Sequence, residues 1–139
     1  MQPPINYWTV VTAAAANVFV GFLWYGPLFG KTWASMAGVD LSKRPPGSKI
    51  AKSMFFMIAG SLIMAWVLDH ALIFANFYLG SSGPASGLMV GALNWLGFIV
   101  PVTLGVVLWE NKPWKLFILN AAYYLAALCL MGLILAAWA

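Results

Sequence analysis

Four polar residues interrupt the long apolar segments of this 139-residue sequence, and they are the first candidates for chemistry. In an apolar environment such side chains can relay a proton or an ion, bind a small polar ligand, or hydrogen bond to one another. A charged side chain at the centre of a bilayer costs roughly 2.5–3.5 kcal/mol on insertion scales, so it needs a reason to persist. This main polar layer consists of Asn17, Asp69, His70 and Asn94.

The depths of these residues favour one polar cluster. At a rise of about 1.5 Å per residue, Asn17 lies roughly 18 Å from the basic end of its helix, Asp69 about 24 Å and Asn94 about 22 Å. His70 follows Asp69 but points about 100° away from it, which disfavours a tight Asp–His dyad. Two interpretations stay open. The residues form a relay or ligand site, or they form interhelical hydrogen bonds, and we favour the hydrogen bonds.

A secondary polar layer is predicted nearer the basic end. Thr103, Asn120 and Tyr123 fall about 8–12 Å from that end by the same counting. Tyrosine and asparagine side chains at this depth commonly satisfy one another, so we predict a structural role rather than a chemical one.

The elements that hold these residues are set by an extreme composition. Hydrophobic residues make up 63% of the chain and charged residues 7%, whereas soluble domains carry about 25% charged residues. The surface must therefore face lipid. The net charge of +4 does not indicate nucleic-acid binding, because the basic residues lie in two short loops between apolar segments.

Four segments are long enough to cross about 30 Å of hydrocarbon, which takes about 20 residues of helix. They are predicted at about 7–29, 53–77, 86–109 and 115–138. They are apolar on every face, which excludes alternating barrel strands. The first has no basic residues before it, so we interpret it as a retained helix and not a signal peptide. The predicted fold is an all-α integral membrane four-helix bundle, with residues 1–139 as a single domain.

The loop charges predict an orientation. All seven Lys and Arg residues lie in the 30–52 and 110–115 loops, and none lies between the second and third spans. The positive-inside rule makes the two basic loops cytoplasmic and places both termini on the outer side of a plasma membrane. A bias of this size disfavours small dual-topology exporters and fluoride channels, which need nearly balanced loops.

The first span ends in a motif of aromatic residues, proline and glycine. Pro27 should kink or end the helix, and Gly30 suits a left-handed cap. We favour an aromatic-belted helix end over a gate or a headgroup pocket. The residues of this helix-end motif are Trp24, Tyr25, Pro27, Gly30 and Trp33.

Glycines line the third span. Gly87, Gly91 and Gly97 would let another helix approach closely, either within the chain or between chains. Pro101 should kink this span. The sequence does not decide between the two kinds of packing, and a parallel homo-oligomer is our expectation.

The segment Gly21-Phe22-Leu23-Trp24-Tyr25-Gly26-Pro27-Leu28-Phe29-Gly30-Lys31-Thr32-Trp33 resembles the signature of a bacterial membrane family, domain of unknown function 1761. The chain is also similar to that family in length, in its four apolar segments, in Asn6 and in its glycine-rich third span. The resemblance implies the four-helix fold and a multi-pass location in a bacterial inner membrane. The family has no established activity, so the resemblance implies no substrate.

The remaining chemistry is sparse. One histidine and the single Cys129 cannot build a metal site, and no nucleophile accompanied by a base is visible. We therefore expect no enzyme activity and no cofactor. The first function hypothesis is a binding or scaffold subunit whose partners are membrane lipids, further copies of itself or another membrane protein. The alternative is an oligomeric pore or carrier for an ion, a proton or a small solute that uses the main polar layer.

Overall fold

The computed structural model describes residues 5–138, which contain helices and no strands. In chain order the helices are α1 (Tyr7–Leu23), α2 (Gly30–Ala37), α3 (Gly47–Leu79), α4 (Pro84–Asn94), α5 (Val100–Thr103), α6 (Gly105–Leu108) and α7 (Trp114–Ala137). Four stretches are long and apolar enough to cross a membrane: Tyr7–Leu28, Gly47–Leu79, Pro84–Leu108 and Trp114–Ala137. The predicted all-α architecture with four spans is confirmed.

The first span begins at a side-chain cap and ends at a proline kink. Asn6 caps α1, because its Oδ1 accepts hydrogen bonds from the amides of Trp8 at 3.1 Å and Thr9 at 3.4 Å. A π-helical turn, Trp24–Leu28, continues the span, and Gly26 leaves helical geometry with φ −111° and ψ −106°. Pro27 lacks an amide hydrogen and crowds the preceding turn, so the helix breaks here.

The prediction of a left-handed cap at Gly30 is wrong. Gly30 begins α2, and a Cβ added there would lie 2.6 Å from the carbonyl oxygen of Tyr25. Close backbone approach is therefore the reason for glycine at this position. The left-handed residue is Gly38, with φ 77°, at the end of α2. Lys112 supports that end by donating from Nζ to the carbonyl oxygen of Ala37 at 3.2 Å, and this bond joins the two basic loops at one end of the bundle.

The second span is longer than predicted. α3 has 33 residues and begins at Gly47 rather than near residue 53. At about 1.5 Å per residue it measures about 50 Å, well beyond the ~30 Å of hydrocarbon. It ends at Gly80, whose φ of 65° gives a left-handed cap.

The third span is interrupted near Pro101. A π-helical turn, Trp95–Ile99, precedes the proline, and the helix is broken again at Leu104. The proline ring would crowd the carbonyl of Gly97 four residues earlier, and a wider turn relieves this contact.

The fourth span forms the centre of the bundle, because α7 packs extensively against both α1 and α4. Its closest contact joins Gly87 and Gly132, where a Cβ on either residue would strike the carbonyl of the other. One turn along, a Cβ on Gly91 would lie 2.6 Å from the carbonyl oxygen of Leu128. Gly87 and Gly91 thus pack within the chain, while Gly97 faces open space.

The apolar core is small and lies between α1, α3, α4 and α7. Small residues allow the helices to approach, and large aliphatic residues fill the centre. The core consists of Val10, Ala13, Ala14, Ala65, Leu68, Leu72, Val90, Leu128, Met131, Leu135 and Ala136.

Candidate functional site

Three polar side chains from three helices meet inside the bundle. Asn17 donates from Nδ2 to the hydroxyl of Ser61 at 2.8 Å, and the hydroxyl of Tyr123 donates to Oδ1 of Asn17 at 2.7 Å. All three residues are buried. The contact links α1, α3 and α7 and satisfies both ends of the asparagine amide. An internally satisfied amide of this kind holds helices together and leaves little capacity to bind a solute.

A glycine makes room for this contact. A Cβ on Gly21 would lie 3.2 Å from the Tyr123 hydroxyl, which is tighter than an ordinary contact. The glycine that opens the sequence motif therefore has a packing role, because a larger residue would push Tyr123 away from Asn17.

A second polar pair lies beside the first. The hydroxyl of Tyr25 donates to Oδ1 of Asn120 at 2.7 Å. The Tyr25 ring also packs edge-to-face against Tyr123 at a centroid distance of 5.2 Å and against Trp33 at 5.6 Å. Tyr25 thus joins the first span to the fourth through a hydrogen bond and aromatic packing, and Trp33 packs against Tyr25.

Two tryptophans bind the fourth span in the same way. Trp24 donates from Nε1 to the carbonyl oxygen of Leu119 at 3.2 Å, and Trp95 donates to that of Ala121 at 2.7 Å. Each tryptophan is the first residue of a π-helical turn. Turns of this kind frequently mark functional positions in helices. Here they direct two indole donors at carbonyls two residues apart on α7.

The main polar layer does not form one cluster. Asn94 donates to the carbonyl oxygen of Val90 in its own helix at 2.8 Å. His70 lies 2.8 Å through Nδ1 from the carbonyl oxygen of Trp66, again in its own helix. Within the described part of the chain, Asn17 alone of the four predicted residues makes a hydrogen bond to the side chain of another helix.

Asp69 is also displaced from Asn17 along the bundle. Asn17 is level with Ser61, and Asp69 lies eight residues further along the same helix, about 12 Å away. The prediction that Asn17 and Asp69 share a layer is wrong. The depth of Asp69 was counted from residue 53, but α3 begins six residues earlier, at Gly47.

The secondary polar layer is also rearranged. Thr103 donates to the carbonyl oxygen of Ile99 in its own span at 2.6 Å. Asn120 pairs with Tyr25 and Tyr123 pairs with Asn17, so the two do not satisfy one another as expected. Depth counts follow Cα positions, and the long tyrosine side chain reaches a residue outside its own layer.

Two buried polar residues, Asp69 and Thr9, lack hydrogen-bond partners for their side chains within residues 5–138. Asp69 is buried, and its carboxyl makes no hydrogen bond within residues 5–138. The hydroxyl of Thr9, only 4% exposed, also has no partner in this range. Asn17 and Ser61 set an antiparallel register between α1 and α3, and the same register places Thr9 opposite Asp69, two turns away.

Several polar contacts were not predicted from the sequence. Ser61 looked unremarkable, although it lies two helical turns from Asp69 on the same face. At the opposite end, Asn76 accepts hydrogen bonds from Ser86 and, at 3.3 Å, from Ser81, which fastens the turn between the second and third spans. The serine-rich turn was the available signal.

Within residues 5–138 no group of three or more His, Cys, Asp or Glu residues is placed to hold a metal.

These features define a class: a multi-pass, all-helical protein with a four-span bundle, inside which Asn17, Ser61 and Tyr123 are buried. The family model described as protein of unknown function (DUF1761) matches residues 8–136, and the chain belongs to this family. The resemblance drawn from the first-span motif is confirmed. Searches of curated proteins and of solved structures gave no match.

Proposed function

We propose that this chain is a membrane-embedded binding or scaffold subunit, which presents its outer surface to lipids and to other membrane-embedded chains. The observation that supports this function best is the Asn17–Ser61–Tyr123 contact. In this contact, buried polar side chains from three helices hydrogen bond to one another and do not line a water-filled path. The neighbouring Tyr25–Asn120 pair is internal in the same way.

The shape of the surface supports the same proposal. A groove of about 300 Å³ between α1 and α3 is lined by apolar residues, among them Val10, Leu62 and Trp66. A cavity without polar groups suits an acyl chain and gives an ion nothing to replace its hydration shell.

A pore or carrier is the second candidate function, and one observation favours it. The carboxyl of the buried residue Asp69 has no hydrogen-bond partner within residues 5–138, and neither has the buried Thr9 hydroxyl, as expected for groups of a proton or cation site. In an oligomer, such groups could bind a solute that a single chain does not hold.

Ion flux through reconstituted vesicles separates the two functions. If the protein is a binding subunit, wild type in liposomes should carry no more protons or potassium than empty vesicles. Asp69→Asn should then leave both the melting temperature and the absence of flux nearly unchanged, because the Asp69 carboxyl makes no hydrogen bond within residues 5–138 that the substitution would break. His70→Ala is the companion variant, since a relay would need both residues. Wild-type flux that disappears in Asp69→Asn, at an unchanged melting temperature, would establish the carrier instead.

A further inference from the structure

The basic end of the second span stands apart from the rest of the bundle. Between residues 47 and 58 of α3 every residue except Met54 is exposed. Among residues 5–138 no neighbouring helix covers this part of the span, so its surface is available to the surrounding membrane.

One face of this free segment is a continuous stripe. Lys49, Lys52, Phe56, Gly60 and Ile63 follow one another at intervals of three or four residues, which places them in line along the helix. Phe56 is 61% exposed and Ile63 is 63% exposed. Nothing lies within 4 Å of a Cβ built on Gly60, so the stripe has a notch between its two apolar side chains. The stripe is cationic at the helix start and apolar below.

Basic side chains outnumber acidic ones at the cationic end, because the two basic loops hold all seven Lys and Arg residues against Asp40 and Glu110. The first turn of α3 contains no acidic residue, and Lys43 and Arg44 precede it. Asp40 is the one acidic residue in the loop between α2 and α3, and its Oδ1 accepts hydrogen bonds from the Ser42 hydroxyl at 2.6 Å and the Ser42 amide at 2.9 Å. These two bonds lower the pKa of the Asp40 carboxyl. Asp40 is therefore held by its own turn.

We propose that the stripe binds one anionic phospholipid, with the phosphate between Lys49 and Lys52 and an acyl chain along Phe56, Gly60 and Ile63. The apolar part alone would accept any lipid tail. The paired lysines select a headgroup with net negative charge, since a basic residue beside the bound headgroup contributes about fivefold in affinity for anionic lipid. The inference rests on the proposed function, for which it names a ligand.

Native mass spectrometry of the full chain tests the proposal after extraction from bilayers of equal phosphatidylglycerol and phosphatidylcholine. Wild type should retain phosphatidylglycerol preferentially. The double variant Lys49→Gln, Lys52→Gln should lose this preference by about 25-fold, the product of two fivefold terms. Lys115→Gln, which removes an exposed basic residue at the same end, is the matched control and should keep the preference.

Two further measurements separate the lipid from other occupants. Gly60→Leu fills the notch without changing charge and should weaken lipid retention, whereas excess inorganic phosphate should not displace the lipid. Both lysines are exposed, so circular dichroism should show unchanged melting in the double variant.

The proposal is overturned by three results. Lys115→Gln and the lysine double variant could retain the lipid equally, inorganic phosphate could displace it, or wild type could form dimers that cover the stripe and hold no lipid. None of these results alters the vesicle flux of the wild type, so a failure here is distinguishable from a failure of the proposed function.

Discussion

The hydroxyl of Tyr123 donates a 2.7 Å hydrogen bond to Oδ1 of Asn17, and the other end of that amide donates 2.8 Å to Ser61. One asparagine side chain therefore ties the first span to both the second and the fourth. In hydrocarbon such bonds contribute about 0.6 kcal/mol on average and up to about 1.7 kcal/mol, because alternative partners are few but not absent. This contact is the physical basis for assigning the buried polar residues to structure.

The glycine contact between α4 and α7 gives the sharpest prediction about folding. Gly87→Ala should destabilise the protein by about 2 kcal/mol or more, because the added methyl group strikes the backbone carbonyl of Gly132 and neither helix can move aside freely. Gly97→Ala is the matched control. It faces open space and should not destabilise the protein, because alanine is favoured over glycine in a helix by up to about 1 kcal/mol. Thermal unfolding in mild detergent measures both, and equal effects would contradict the packing described for α4.

The close helix contact also shows where the sequence prediction succeeded and where it could not. About 20 consecutive apolar residues are sufficient to predict a spanning helix, so the four spans followed from composition. The sequence did not predict that Gly87 and Gly91 pack against α7, because small residues suit contacts within and between chains equally well.

The polar contacts were harder to predict than the helices. Counting residues from an assumed helix end fixes depth only as well as that end is known, and α3 begins six residues early. Counting also gives no information about the rotation of each helix about its axis. Asn94 and His70 consequently hydrogen bond to carbonyls of their own helices and not to a neighbouring helix. Ser61 is small and common in membrane helices, and only the structure shows that it accepts from Asn17.

The orientation remains a prediction, and cysteine labelling tests it. In a Cys129→Ala background, single cysteines at Ser48, at the start of α3, and at Ser82, in the turn between the second and third spans, occupy exposed positions at opposite ends of α3. Ser82 is preferable to Ser81, whose hydroxyl is bonded to Asn76. An impermeant maleimide applied to intact cells should label position 82, and position 48 only after permeabilisation, because the basic loops are expected to be cytoplasmic. Labelling of both positions in intact cells would refute the predicted topology.

The parallel homo-oligomer is likewise a prediction, and the structure changes how it should be tested. Gly91 packs on Leu128 within the chain, so Gly91→Leu would disrupt the fold instead of reporting on assembly. Gly97 is free, and Gly97→Leu should reduce the number of chains per particle in native mass spectrometry if the third span forms the interface. Gly60→Leu, at an open glycine on the second span, should not. Wild-type particles that are always monomeric would contradict the prediction.

The coupling between Asn17 and Tyr123 tests the central claim most directly. The measurement is a double-mutant cycle of unfolding free energies for Asn17→Leu, Tyr123→Phe and the double variant, in which Tyr123→Phe removes only the hydroxyl. If the polar residues hold the helices together, the two substitutions should be coupled by about 0.6–1.7 kcal/mol. Additive effects, with a coupling below about 0.3 kcal/mol, would show that the contact does not stabilise the bundle and would contradict the account.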